Sequence, residues 1–373
     1  MEASRRFQEL VPRLFRPVDA ASLVFVRVAF GLVVLWEAWR YVDNGWIAAF
    51  YIRPELLDAR LGLVPRSEFV PFWSVFLLRA QVAIVYFFAG IAKIDRDWLQ
   101  AEPMRSWLAA RTDVPILGRF FREQWAGFLF SWGGLLFDLT IVPLLAWRRT
   151  RPFAFVGAVL FHLMNARLFE IGIFPWLMLS VSTLFFDPGW PRKVFAFIDR
   201  TPGQAPAPWP VRRTVLAVGG AYLALQVAFP LRHLLYPGPV AWTEEGHRFS
   251  WRMKLRDKEA AVQIRVRDAK SGESWIEPLG DLTTKQRRTM AAHPDMILQY
   301  AHYLARLYRE DQREVEVYAV AKVSLNGRAP QLLVDPAVDL AKQPRDLRHA
   351  AWIRPFDARA TEKLAEDALE VEE

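Results

Sequence analysis

Cysteine is absent from all 373 residues, which excludes a disulfide framework, thiolate catalysis and cysteine-held metals. A cleavable leader pattern is missing as well. The first apolar run begins after about twenty residues and is long enough to span, so it reads as a retained helix. Histidines number six, and His293 and His302 do not face one another on a helix, so no metal site is expected. The net charge of +8 comes largely from arginines in short loops between apolar runs. There they act as topology signals, and no nucleic-acid partner is expected.

What is present is 53% hydrophobic and 14% aromatic residues, with 16 Trp and 27 Phe, beside 24% charged residues. That mixture describes a membrane part joined to a soluble part. Residues 1–20 carry Arg5, Arg6, Arg13 and Arg16 among Phe and Leu, an amphipathic lead-in suited to a negatively charged leaflet. About six spans follow: Ser22–Trp39, Val70–Ala92, Trp125–Trp147, Phe153–Phe169, Ile173–Phe186 and Thr214–Leu235. Arg27, inside the first, would need a partner such as Glu37 or a helix not adjacent in sequence if buried. Asp138, inside the third, reads either as a partner of Arg27 or as a neutral acid, with a structural role favoured. Residues 95–122 mix charge with Trp and Phe and read as interfacial helix. Residues 199–213 form a Pro-rich linker.

Beyond Pro237 the pattern is that of a soluble domain. Val262, Ile264 and Val266 alternate with polar residues as a half-buried strand, and residues 270–273 make a hairpin turn into Trp275. Leu282–Tyr308 reads as a helix, and Val315–Leu325 as a second strand ending at the Asn326-Gly327 turn signal. The expected fold is an α-helical polytopic membrane protein with a C-terminal β-rich α+β domain. Its parts are an N-terminal segment (1–20), a membrane domain (21–236), a β-rich domain (237–360) and an acidic tail (361–373).

The stretch from Leu78 to Trp98 delivers Lys93 at the far end of an apolar run. A lysine at the rim of a membrane-type helix is snorkelled, paired or functional. Position alone leaves open interfacial water, a pair with Asp95 or Asp97, and a site. The loop arginines raise a separate question. Arg148–Arg151 and the 190–213 linker belong on the cytoplasmic side, which puts the C-terminal domain outside and the arginine-rich N-terminus on the wrong side. Either Ser22–Trp39 does not span, or an odd number of helices is missing between residues 41 and 69.

QVAIVYFFAGIAKIDRDWLQAEPM (81–104), GGLLFDL (133–139), FHLMNARLFEIGIFPWLML (161–179), FFDPGWPRK (185–193), WTEEGHRFSWRM (242–253), HPDMILQYAHYLARL (293–307) and VDPAVDL (334–340) occur in one order. In that order they resemble segments of the vitamin K-dependent gamma-glutamyl carboxylases and their bacterial relatives, which share a horizontally transferred transmembrane (HTTM) domain. The resemblance implies an integral, multi-pass protein of a bacterial inner membrane with an extracytoplasmic C-terminal domain. It departs in one place: the family's further helices after the first span, with an aspartate-lysine-threonine segment and an asparagine-histidine pair, have no counterpart between Glu55 and Leu56. About three helices are absent by this comparison, the odd number that the loop arginines require, so both arguments point to an internal deletion.

By the same resemblance Lys93 takes the position of the catalytic base, a neutral amine that deprotonates vitamin K hydroquinone. The family reaction couples epoxidation of that quinol by O2 to proton removal from a glutamate γ carbon, which then takes up CO2. His162 and Asn165 share a helix face and, with Tyr86, are candidates for lining the quinone pocket; as a lone pair they would read as an interhelical hydrogen bond. Trp242, Thr243, Gly246, Phe249 and Trp251 match a segment associated with glutamate binding, and alone would pass for an aromatic turn entering a strand. The implied partners are membrane lipid, a glutamate-containing peptide and a quinone reductase that recycles the epoxide, with no metal. The alternatives are a quinol epoxidase without carboxylation, or a non-catalytic relic of the helix loss.

Overall fold

The computed structural model describes residues 13–14, 16–43, 69–169, 171–194 and 204–358, with the backbone alone at 34–35 and 37–43. Most of the 1–20 lead-in, the Glu55–Leu56 junction, part of the linker and the acidic tail lie outside the described residues.

Four helices among the described residues are long and apolar enough to cross a membrane: Phe72–Ala92, Gln124–Ala146, Arg151–Phe169 and Arg213–Leu235. The other two expected spans correspond to the shorter apolar helices Ala21–Val33 and Phe174–Phe185. The second of these is short for a local reason. Pro175 sits in its first turn, and it tightens into a 3-10 turn at Thr183–Phe185 before Asp187. Arg27 is exposed, so the burial that would have required a partner is not met.

The chain divides into two compact units, Met1–Gly90 with Leu136–Val227, and Ile91–Leu135 with Ala228–Glu373. In the first, strands β1 (Pro17–Asp19) and β2 (Phe69–Pro71) pair antiparallel, and Asp19 takes a hydrogen bond from Arg192 at 2.8 Å. Arg79 donates to the carbonyls of Leu184 and Phe186 at 2.7 and 3.0 Å, satisfying helix-end acceptors that would otherwise be orphaned. Gly90 permits close helix packing. A Cβ there would lie 2.6 Å from Leu139 Cδ2, so only a residue without a side chain lets the two apolar helices approach.

In the second unit a four-stranded antiparallel sheet has the order β4-β3-β5-β6, with β3 Lys258–Asp268, β4 Ser274–Ile276, β5 Val315–Leu325 and β6 Gln331–Leu332. Ile264 and Val266 are fully buried while Gln263, Arg265 and Arg267 are exposed, as the period-two pattern predicts. The 270–273 turn uses Gly272 at φ +74°. The turn after β5 places Asn326 and Gly327 at +53° and +74°, the paired positive angles that an Asn-Gly hairpin supplies. The sheet packs a core with Ile297, Leu304, Val317 and Trp242. The single helix expected over Leu282–Tyr308 is two, Thr284–Ala291 and Pro294–Glu310. His293 turns extended (φ −125°) ahead of Pro294 at the first helical position, because proline disfavours a helical residue before it. Residues 95–122 are also broken, into helices Arg96–Leu99 and Met104–Ala109 and a 3-10 turn at Gly118–Phe120.

Candidate active site

Lys93 follows the last turn of Phe72–Ala92 in a short break before Asp95 caps the next helix. It is 9% exposed. Its Nζ lies 5.4 Å from the Trp98 ring centroid, within cation–π reach. Trp98 is itself buried and donates its indole N–H to the Ser131 carbonyl at 2.8 Å. Gly134 completes the corner: its missing side chain leaves a surface whose ideal Cβ would be 3.7 Å from both Lys93 Cε and Trp98 Cζ2. The Lys93 side chain thus lies along the Trp98 indole face, with Gly134 near its stem.

In the other unit Tyr86 and His162 come together. The Tyr86 hydroxyl and His162 Nε2 are 2.7 Å apart and both residues are buried. Phe137 and Phe161 stack at 3.8 Å beside them. His162 Nδ1 is buried and has no hydrogen-bond partner. Asn165, one turn further along the same helix, is half-buried. A cleft of about 330 Å³ opens in this unit, walled by Ala83, Ile84, Phe87, Phe88, Leu139 and Val142, with Asp138 as its acidic residue.

The 242–251 segment does not act as one surface. Trp242 is fully buried in the sheet-domain core and donates to the Arg354 carbonyl at 2.8 Å. Thr243 and Gly246 line a second cleft of about 340 Å³, with Arg232, Arg248, Arg345 and His349 on its walls. Gly246 sits at φ +66°, and a Cβ there would lie 2.5 Å from His233 Cα, so no other residue fits. Phe249 is 69% exposed and Trp251 half-buried. Both have positive φ, +63° and +57°, uncommon for bulky residues.

Sequence reasoning missed the charged cluster that Glu244 and His247, on the walls of this cleft, form with residues behind them. Glu244, its side chain 8% exposed, pairs with Arg256 and with Lys258 Nζ at 2.8 Å. Lys258 also donates to the Trp242 and Ala292 carbonyls at 2.7 and 3.3 Å. Burial pushes the Glu244 carboxyl up, but Lys258 and Arg256 outweigh it and hold it below its ordinary range. Burial, then Arg256, pulls His247 down to about 4. The signal available was the charge density of the stretch from Glu244 to Lys258, which carries Glu244, Glu245 and Asp257 together with Arg248, Arg252, Lys254, Arg256 and Lys258.

Residues 56–190 match the family model for the HTTM domain, and residues 211–359 match that for the vitamin K-dependent gamma-carboxylase lumenal domain. The chain belongs to the vitamin K-dependent gamma-carboxylase family. No solved structure matches it. Lys93, Tyr86, His162 and Asn165 fall in the HTTM match of this carboxylase-family protein, and the 242–251 segment in the lumenal-domain match. Family membership and the apolar helices make it a membrane protein of the carboxylase enzyme family, and the lumenal name fits an extracytoplasmic C-terminal region.

Proposed function

We propose that the protein is an integral membrane carboxylase that uses vitamin K hydroquinone, O2 and CO2 to convert glutamate side chains of a peptide to gamma-carboxyglutamate. The observation that carries this reading is the burial of Lys93 at the end of an apolar helix, within a chain matching both the membrane and the lumenal domains of the family. The residues present fit a quinol. The apolar cleft beside Asp138 falls in the usual size range of small-molecule sites, with Ile84, Phe87 and Val142 on its walls and not Tyr86, His162 or Asn165. When bound, the hydroquinone supplies, through its oxidation to the epoxide, the strong base that glutamate deprotonation needs.

The chain's own residues divide the remaining work. Lys93 accepts the hydroxyl proton as general base. Trp98 and Gly134 orient its stem, and the surrounding hydrocarbon keeps water from the reaction. Tyr86 fixes the His162 ring, with Asn165 on the same face. Thr243 and Gly246 shape the cleft that takes the peptide, on whose walls Arg248 and Arg345 pair with Asp295. The C-terminal domain lies on the extracytoplasmic side, and a reductase restores the quinol.

Reconstituted protein given reduced vitamin K, a glutamyl peptide and labelled CO2 tests this. Quinol-dependent incorporation of label is the expected result, and its absence with Lys93 intact sinks the carboxylase. Epoxide without label selects the quinol epoxidase.

A further inference from the structure

Two residues beyond Lys93 begins an Asp-Arg-Asp run, and the sheet domain of the same unit holds both aspartates. Asp97 accepts two hydrogen bonds from the Arg328 guanidinium, at 2.6 and 2.8 Å, and a third from Asn326 Nδ2 at 2.7 Å. Its side chain is 16% exposed. Asp95 accepts from the Asp97 amide at 3.1 Å and faces Arg252 at 3.8 Å. Asn326 is fixed in turn, since its Oδ1 accepts from the Asp257 amide at 2.8 Å and its own amide donates to the Asp257 carbonyl at 2.9 Å. These contacts sit at the end of the β3–β5 ladder, which runs unbroken from Lys258–Leu325 to Asp268–Val315. On the other side of Asp97, Trp98 is tied to Ser131 and lies against Lys93.

A bidentate arginine–carboxylate pair with a further amide donor fixes direction as well as distance. A partly buried pair of this kind contributes more than an exposed surface pair. The anchor is stiff, the link to Lys93 is four residues, and the amine has a long flexible stem. The anchor acts together with the Arg252–Asp95 pair and the Trp98–Ser131 hydrogen bond.

We propose that Asp97, clamped by Arg328 and Asn326, is the positioning residue for the Lys93 amine, joining the tip of the C-terminal hairpin to the turn that carries the base. The inference rests on the reading of Lys93 as that base. It makes the sheet domain part of the catalytic corner, in addition to any role in holding a peptide.

The test measures, by mass spectrometry on the full chain in detergent, how fast a water-soluble acylating reagent modifies Lys93 in the wild type and in Asp97→Asn, Arg328→Gln and Asp97→Glu variants. Loss of a charged hydrogen bond should raise the Lys93 rate about tenfold in the first two variants, with Lys270 and Lys322 unchanged and the Glu variant near wild type. Should Asp97→Asn fail to fold, Arg328→Gln decides alone. An unchanged Lys93 rate overturns the proposal, and so does a rise shared by all lysines with a lowered melting temperature, which marks a fold staple. Labelling needs neither quinol nor peptide. A wild type inactive in the carboxylase assay therefore removes the reading of Lys93 as base while the clamp is still measured, and unchanged labelling in an active enzyme removes the clamp alone.

Discussion

Two lysines are buried in the second compact unit, and the protein treats them differently. Lys258, with its side chain 4% exposed, is ringed by oxygen: the Glu244 carboxylate and the carbonyls of Trp242 and Ala292. Burial lowers it to about 8, with Glu244 opposing, so it remains a cation at neutral pH and serves as the counter-charge of a buried acid. Lys93 lies along an indole and a glycine, at the end of a helix with the composition of a membrane span. Equal burial therefore does not mean equal role. Oxygen acceptors at hydrogen-bond distance hold the Lys258 charge in place, whereas an aromatic face lies along the Lys93 side chain.

The sharpest way to break this comparison is to remove each amine. Lys93→Ala should lower carboxylation about a thousandfold, the scale of a lost general base, with peptide binding retained; initial rates of label incorporation check it. If activity survives, the contrast between the lysines is false. Lys258→Ala should instead cost about 3 kcal/mol of stability, because it leaves Glu244 buried with Arg256 alone, and thermal unfolding in detergent reads this.

A smaller effect is expected from pH. His247 titrates near 4 in the folded protein, below its ordinary 6.5, so the unfolded chain takes up a proton first as pH falls. Stability should decline from pH 6.5 downward, with the His247 contribution fully lost near pH 4. That loss is about 2 kcal/mol, reduced from the full linkage value because the ring is only partly buried. His247→Gln should flatten the slope in this window; an unaltered slope would assign it to other groups. Glu244 and Asp97 are depressed carboxyls, so their stabilising contribution is lost only at still lower pH.

The smallest effect concerns the Tyr86–His162 pair. Tyr86→Phe should cost about 1 kcal/mol through the lost hydrogen bond, with quinone affinity falling by a comparable factor. Titration of quinone fluorescence quenching against the wild type checks the second part.

Much of the fold was legible in advance because its signals are local. The apolar runs, the alternation over Val262–Val266 and the Asn326-Gly327 turn each depend on neighbours a few residues away. The break at His293–Pro294 was also written locally, but an amphipathic period on both sides masked it. Parts of the candidate sites were legible in another way: Lys93, His162 and Thr243 stood out by residue type and by resemblance. Their company did not. Trp242 looks like a binding residue in the sequence and is core in the fold, while Glu244 and Lys258 look like surface charges and are buried together.

The sequence by itself determined that apolar helices precede a sheet domain, and that one lysine ends an apolar run, since periodicity and composition are properties of contiguous residues. Only the tertiary structure decided that Asp97 meets Arg328 across more than two hundred residues, that Glu244 pairs with Lys258, and that Gly134 lies beside Lys93. Such contacts depend on which surfaces pack together, and a short polar side chain carries no sequence period that names its partner.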